Sequence, residues 1–217
     1  MKTILVATDF NELASAALRF ASVLARRAAA EIVVVYADTF EPPPEFTSAQ
    51  IESVAQSIER SRRRAKDELD RHAARNIVAG VHWRSIVVEG TPAAAILRVA
   101  EAEHADLIAM GTHGRGGLQR LLMGSVAERV IREAHLPVLT VRTTEIPKDI
   151  RRIACPTGGT DNADYGQSLA SALGSDLICD GDGDYDLIIA SGDAAARVRR
   201  HASTPVITLN AEVPHVV

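Results

Sequence analysis

The 217-residue chain has little cysteine, little lysine and no long apolar run. Each shortage removes a class of function. Its two cysteines, Cys155 and Cys179, build no disulfide framework and fit a reducing compartment. Two thiols alone also make a weak zinc site. Its three lysines, Lys2, Lys66 and Lys148, never fall between a glycine and a serine or threonine. A Walker-type phosphate loop, which needs lysine beside its glycines, is therefore excluded. Neither charge sign dominates: the formal net charge is −4, so no global basic field recruits nucleic acid or an anionic membrane. No apolar stretch approaches the roughly 20 residues that span a bilayer. After Met1-Lys2-Thr3 only the four residues Ile4 to Ala7 are apolar, against the roughly 7–15 of a signal peptide. A cytoplasmic protein is the expectation. G-x-S-x-G, H-E-x-x-H and C-x-x-C are also absent, so no hydrolase elbow, zincin or redox pair is on offer.

What is present is a globular composition, 47% hydrophobic and 24% charged. Short unbroken apolar runs alternate with helical periodicity. Ile4 to Ala7, Ile32 to Tyr36, Val81 to Glu89, Leu107 to Met110 and Val138 to Val141 read as strands. Leu13, Ala16, Ala17, Phe20, Val23 and Leu24 recur at helical spacing. Phe46 to Asn76 reads as a long polar helix with Ile51, Val54, Ile58, Ala65 and Leu69 on its apolar side. Gly90-Thr91-Pro92 opens a third helix, with Thr91 as cap and Pro92 in first position. A fourth runs from Gly124-Ser125 to about Ala134. This order predicts an α/β fold, a parallel sheet covered by helices. Ligands of such sheets sit beyond the carboxyl ends of the strands.

The end of the chain repeats its beginning in abridged form. Arg152 to Thr157 echoes Thr3 to Thr8, and Ala163 to Leu173 echoes the first helix. Asp186 to Ala190 echoes Asp106 to Met110, and Thr204 to Thr208 echoes Leu136 to Thr140. Such self-similarity points to duplication. The expected domains are 1–145, complete, and 150–210, lacking the long helix, the third strand and the third helix. The weakest element of this reading is a strand at Leu177-Ile178-Cys179, because the acidic connection to Asp186 is short for a parallel crossover. Charge follows the same division: residues 1–150 hold 19 basic and 19 acidic side chains, residues 151–217 hold 5 and 9.

The segment that carries chemistry is Gly111-Thr112-His113-Gly114-Arg115-Gly116-Gly117, followed by Gly124-Ser125-Val126. Glycines let backbone N–H groups approach an anion, and a helix start adds free donors and a positive dipole end. Gly111-x-x-Gly114, nine residues, then Gly124-Ser125 resembles the nucleotide motif of the ATP-binding universal stress proteins, the UspA-like family. The resemblance covers about residues 2–142. It implies a doubly wound parallel sheet of five strands in the order 3-2-1-4-5, with ATP, or AMP or ADP, across its carboxyl edge and Mg²⁺ on the phosphates. By resemblance Asp9, preceded by Ala7 and Thr8, meets the adenosine end, and Tyr36 meets adenine through its backbone. Met110, Gly111, Gly114, Gly124, Ser125 and Val126 match the phosphate and ribose side. Arg115 in the same loop adds charge to the binding set, and His113 joins it as a loop histidine with no catalytic part. The family often has proline two residues before the acid, where this chain has Ala7. Asp9 also has an ordinary alternative, capping the first helix.

Three other signals are set aside. Arg60, Arg62, Arg63 and Arg64 lie among acids on the long helix and read as a solvated face. Asp180, Asp182, Asp184 and Asp186 resemble the start of a calcium loop, but Tyr185 and Ser191 stand where glycine and glutamate are required. Thr157-Gly158-Gly159-Thr160-Asp161-Asn162 is similar to the ATP pyrophosphatase loop, with both motif serines changed. In the shorter half, Gly192 aligns with Gly124, Asp193 with Ser125 and Gly158 with Asp9, while the glycine loop is deleted. That half is expected to bind no nucleotide. The resemblance also implies, from the family's pairing through the fifth strand, that Val206 to Leu209 pairs antiparallel with Leu139 to Val141, within Val138 to Val141, as an internal pseudo-dimer. The expected function is a nucleotide-dependent regulatory module in the stress response, with no catalytic residue. A slow ATPase or nucleotide-processing enzyme is the alternative, and a nucleotide-free scaffold the third.

Overall fold

A computed structural model describes residues 1–39, 48–112, 123–155, 160–179, 183–201 and 203–210. The first apolar run becomes β1 (Thr3–Ala7), buried along its whole length. Helix α1 (Glu12–Ala28) follows, capped by Asn11, whose side chain accepts from the Ala14 N–H. It ends where Ala29 turns left-handed at φ 52°. Strand β2 (Glu31–Asp38), helix α2 (Ser48–Asn76) and strand β3 (Trp83–Glu89) come next. Helix α3 (Pro92–Ala102) starts with Thr91 at its cap and proline at its first turn. Then come β4 (Leu107–Gly111), α4 (Ser125–Glu133) and β5 (Val138–Val141). The remainder supplies β6 (Arg152–Ala154), α5 (Thr160–Leu173), β7 (Asp176–Ile178), β8 (Leu187–Ser191), α6 (Gly192–His201) and β9 (Val206–Leu209).

All nine strands join one sheet in the order β3-β2-β1-β4-β5-β9-β8-β6-β7. The first five have the expected 3-2-1-4-5 order and are parallel. The last four are parallel to one another, and the two sets meet where β5 and β9 run antiparallel, Leu139 opposite Ile207. One face of the sheet carries α1, α2 and α5. There Ile4, Leu107, Leu139, Ile153, Ile189 and Ile207 pack with Phe20, Leu24, Leu69 and Leu169 in a core that runs through both sets. The opposite face of the first set is covered by α3 and α4, through Ile96, Val99, Val130 and Ile131. On that face the second set has a much smaller cluster, Ala154, Ile188 and Val206 with Val198 of α6. A fully buried Leu or Ile contributes about 1.5–3 kcal/mol, so the first set carries most of the apolar stabilisation.

The hydrogen bonds of the two sets correspond closely. The Lys2 and Thr3 N–H groups donate to the Asp106 carboxylate, and the Arg151 and Arg152 N–H groups donate to that of Asp186. Asp106 N–H bonds the Thr3 carbonyl at 2.9 Å, and Asp186 N–H bonds that of Arg152 at 2.9 Å. Ala30 N–H reaches the Ala25 carbonyl as Ser175 N–H reaches that of Ala170. Strand β7 lies beside β6 as β2 lies beside β1, with Ile153 opposite Leu177 and Ile4 opposite Ile32.

Candidate functional site

The carboxyl ends of β1, β2 and β4 meet at one edge of the sheet, and most of the predicted site residues are there. Ala7 and Thr8 are buried, with the Thr8 N–H extending the ladder to the Val35 carbonyl at 3.0 Å. Asp9 does not cap α1. That place is taken by Asn11, and Asp9 sits one step behind it, accepting from the Asn11 N–H at 3.2 Å and from its side-chain amide at 3.1 Å. Between them Phe10 is held at φ 68°, a conformation costly for a bulky side chain. Its ring packs on Tyr36 at 4.8 Å and edge-on to His72 of α2 at 5.3 Å.

His72 completes this end of the site. Its Nε2 lies 3.2 Å from the Thr8 hydroxyl, which already accepts from the Phe10 N–H at 3.0 Å. The hydroxyl proton is thus available to a neutral imidazole. Burial pushes the His72 pKa below the usual histidine range; Arg75 and Arg19 push the same way, and Asp9 and Glu68 oppose them. Sequence reasoning missed half-buried His72; the available signal was its place three residues after Leu69 on the apolar side of α2. Its pairing with Thr8 had no such signal.

Strand alternation refines the part played by β2. Glu31 N–H and the Val35 carbonyl bond toward β1, while Ile32 N–H and the Asp38 carbonyl bond toward β3. Odd-numbered peptide groups therefore face β1 and even-numbered ones face β3. Tyr36, expected to offer its backbone, has that backbone turned into the β3 ladder opposite Val87. Ala37 is the first residue of β2 whose peptide groups face the β1 side beyond the Thr8–Val35 bond. Tyr36 contributes its ring to the Phe10 stack instead.

Met110 and Gly111 end β4 beside Thr140 and Val141. Gly111 packs against the start of α1. A Cβ there would stand 2.9 Å from the Ala14 nitrogen and 2.9 Å from the Leu13 carbonyl carbon. Thr112 is buried, its N–H bonding the Val141 carbonyl at 3.1 Å and its own carbonyl accepting from Gly124 N–H at 2.6 Å. That last bond ties the start of α4 to the end of β4. Gly124 is the N-cap of α4 and has no side chain to cap it, so Ser125, Val126 and Ala127 begin a helix whose first N–H groups lack the usual capping oxygen. His113, Gly114 and Arg115 lie outside the described residues, as does Gly158. Among the described residues no group of three or more His, Cys, Asp or Glu is placed to hold a metal ion, and no helix is long and apolar enough to cross a membrane.

The equivalent edge of the second set is built differently. By strand register Ser191 occupies the place of Gly111, since Ser191 pairs with Leu209 as Gly111 pairs with Val141. Helix α6 follows it at once from Gly192, with no intervening loop. Asp193 is the second residue of that helix.

The model of the universal stress protein family matches residues 1–142. A universal stress protein of Methanocaldococcus jannaschii is 36% identical over 142 residues, which are 65% of this chain and 82% of that one. A universal stress protein of Thermus aquaticus is 36% identical over 143 residues, 65% of this chain and 98% of its own. The crystal structure of a universal stress protein from Archaeoglobus fulgidus covers 96% of both chains, with a TM-score of 0.63 at 16% identity, and so shares the fold of the whole.

Proposed function

The chain belongs to the universal stress protein family, and on that premise we propose that it is a nucleotide-binding regulatory module with one adenine-nucleotide site. The observation that supports the site is the convergence of three features at one sheet edge. Gly111 carries bare backbone against α1, Gly124 opens α4 with no side chain of its own, and Asp9 stands across from them at the end of β1. The N–H groups of Ser125 and Val126, with Gly111 and the glycine loop of Gly114, His113 and Arg115, would receive the phosphates. Ala7, Thr8 and Met110 would floor the site. Asp9 would serve the adenosine end, with adenine against the peptide of Ala37. Mg²⁺ would accompany the phosphates rather than a protein cage.

The same reading makes the protein a sensor in the cytoplasm rather than a catalyst. Both Asp9 oxygens are engaged with Asn11, and His72 is turned to Thr8 and Phe10. Neither is placed as a free general base for water. Residues 1–145 form the nucleotide domain, and residues 150–210 an abridged repeat whose role is structural. The matching Asp106 and Asp186 hydrogen bonds support that division, and the β5–β9 pairing supports an internal pseudo-dimer, which could pair again as a homodimer.

Calorimetric titration with ATP and Mg²⁺ tests the proposal. One nucleotide per chain is expected, lost in Gly124→Asp and weakened at least tenfold in Asp9→Ala. Two nucleotides per chain, or binding that survives Gly124→Asp, would overturn it. Phosphate release abolished by Asp9→Ala would move the protein to the enzyme class.

A further inference from the structure

The two cysteines stand far apart in sequence, and the fold brings them together. Strands β6 and β7 are parallel, with Arg152 opposite Asp176, Ile153 opposite Leu177 and Ala154 opposite Ile178. The next pair in that register is Cys155 and Cys179. The Cys155 N–H still bonds the Ile178 carbonyl at 2.9 Å, so the ladder reaches the peptide that joins Ile178 to Cys179. Alternation places both residues on the α5 face, the face of Ile153 and Leu177. In-register neighbours on adjacent strands are about 4.8 Å apart, inside the roughly 4.4–6.8 Å Cα range of disulfides. The ends also have room to close, because β7 is the outermost strand of the sheet.

We propose that Cys155 and Cys179 are a dithiol site that closes to a reversible disulfide by exchange with a low-molecular-weight disulfide. The division of labour follows from exposure. Cys179 is exposed and Cys155 buried. The Cys179 thiolate attacks one sulfur of the small disulfide, forming a protein mixed disulfide and releasing one small thiolate. Cys155 then gives up its proton to water and attacks the Cys179 sulfur. The Cys155–Cys179 bond forms, the mixed disulfide breaks and the second small thiolate leaves. Two protein thiols are oxidised and one small disulfide is reduced to two thiols. Burial and the neighbouring Cys179 push the Cys155 thiol up to about 11, which keeps it protonated and protects it until its partner is charged. The product clamps β7, a strand of only three residues, to β6.

The test uses the full chain and oxidised glutathione. Trypsin leaves both cysteines in one peptide, because no Lys or Arg lies between Ile153 and Ala196, and chymotrypsin cuts between them at Tyr165. Oxidised wild type is expected to lose both alkylatable thiols and to keep the two chymotryptic halves joined until reductant is added. Amide exchange at Asp176, Leu177 and Ile178 should slow on oxidation. Cys155→Ala should stop at a stable glutathione adduct on Cys179, and Cys179→Ser should leave Cys155 unmodified in the folded state. Wild type that stops at the glutathione adduct, or that cross-links only between chains, would overturn the proposal. If Cys155→Ala fails to fold, the wild-type peptide map alone decides.

Discussion

The two ends of this sheet share one strand order and differ in what connects the strands. Strand order β2-β1-β4-β5 recurs as β7-β6-β8-β9, and in each set one aspartate clamps the start of the first strand through two N–H groups. The first set adds α2, β3 and α3, and a glycine-rich passage from β4 to α4. The second passes from β8 to α6 with nothing between. The difference teaches that the shared frame does not depend on the connections between its strands. Hydrogen-bonded strand ends and apolar strand interiors are common to both sets, whatever connects the strands.

The most forceful way to break the comparison is to detach the second set. Ile207 is fully buried in the shared core and faces Leu139 across the antiparallel seam. Ile207→Ala should cost about 2–5 kcal/mol, read as a lowered denaturant midpoint. Ile207→Asp should expose the β5 edge and drive association between chains, visible by size-exclusion chromatography. A loss under about 1 kcal/mol in Ile207→Ala would mean that β9 merely lies beside β5.

Next in size is the exchange of Gly111 and Ser191, which share a register position. Gly111→Ala places a methyl against backbone atoms of Leu13 and Ala14, which cannot rotate away. We expect a loss of about 1–3 kcal/mol and weaker nucleotide binding. Ser191 already carries a Cβ, and Ser191→Gly should cost about 1 kcal/mol or less. Equal losses in thermal or denaturant unfolding would show that Gly111 has no special packing role.

How much of this was legible follows the range of the forces involved. Buried strands such as Ile4 to Ala7 are continuous apolar runs, and the order 3-2-1-4-5 came only from the family resemblance that Gly111 and Gly124 help to carry. The start of α3 at Thr91-Pro92 is local chemistry and is found where expected, although the Thr91 side chain makes no capping hydrogen bond. The strand expected at Leu177-Ile178-Cys179, doubtful because its connection to β8 is short, is present in the parallel ladder one residue earlier, at Asp176–Ile178. Long-range detail was not legible. Nothing local distinguishes Asn11 from Asp9 as the cap of α1, since both residue types favour it. The turn of Tyr36 toward β3 depends on ladder parity, which only the neighbours β1 and β3 define. The meeting of Phe10, Tyr36 and His72 requires three elements packed together.

That aromatic corner belongs to the first set alone and supplies a pH test. Folding holds the His72 pKa below its ordinary value, first through burial. The unfolded chain therefore takes up a proton near pH 6.5 that the folded chain refuses. Stability should fall as pH drops from about 7 through the ordinary histidine range, and level off below the folded value. His72→Gln should flatten that fall, measured as denaturant midpoints at pH 7 and pH 5.5. An unchanged slope would remove His72 from the account.

The smallest and most symmetrical test lies at the ends of α1 and α5. Each helix closes on a left-handed residue, Ala29 at φ 52° and Gly174 at φ 62°. Each is followed by the same bond back into its helix, from Ala30 to Ala25 and from Ser175 to Ala170. Left-handed backbone costs an L side chain about 1–2 kcal/mol and costs glycine nothing of that kind. Part of the gain from glycine is returned through its freer unfolded chain. Ala29→Gly should therefore stabilise the protein by about 0.5–1 kcal/mol, and Gly174→Ala should destabilise it by a similar amount. Thermal unfolding of the two variants and of the double swap decides it. If the frame is truly common to both sets, the double swap returns the melting temperature to that of the wild type. A residual shift would mean that one of the two caps is held by packing that the other lacks.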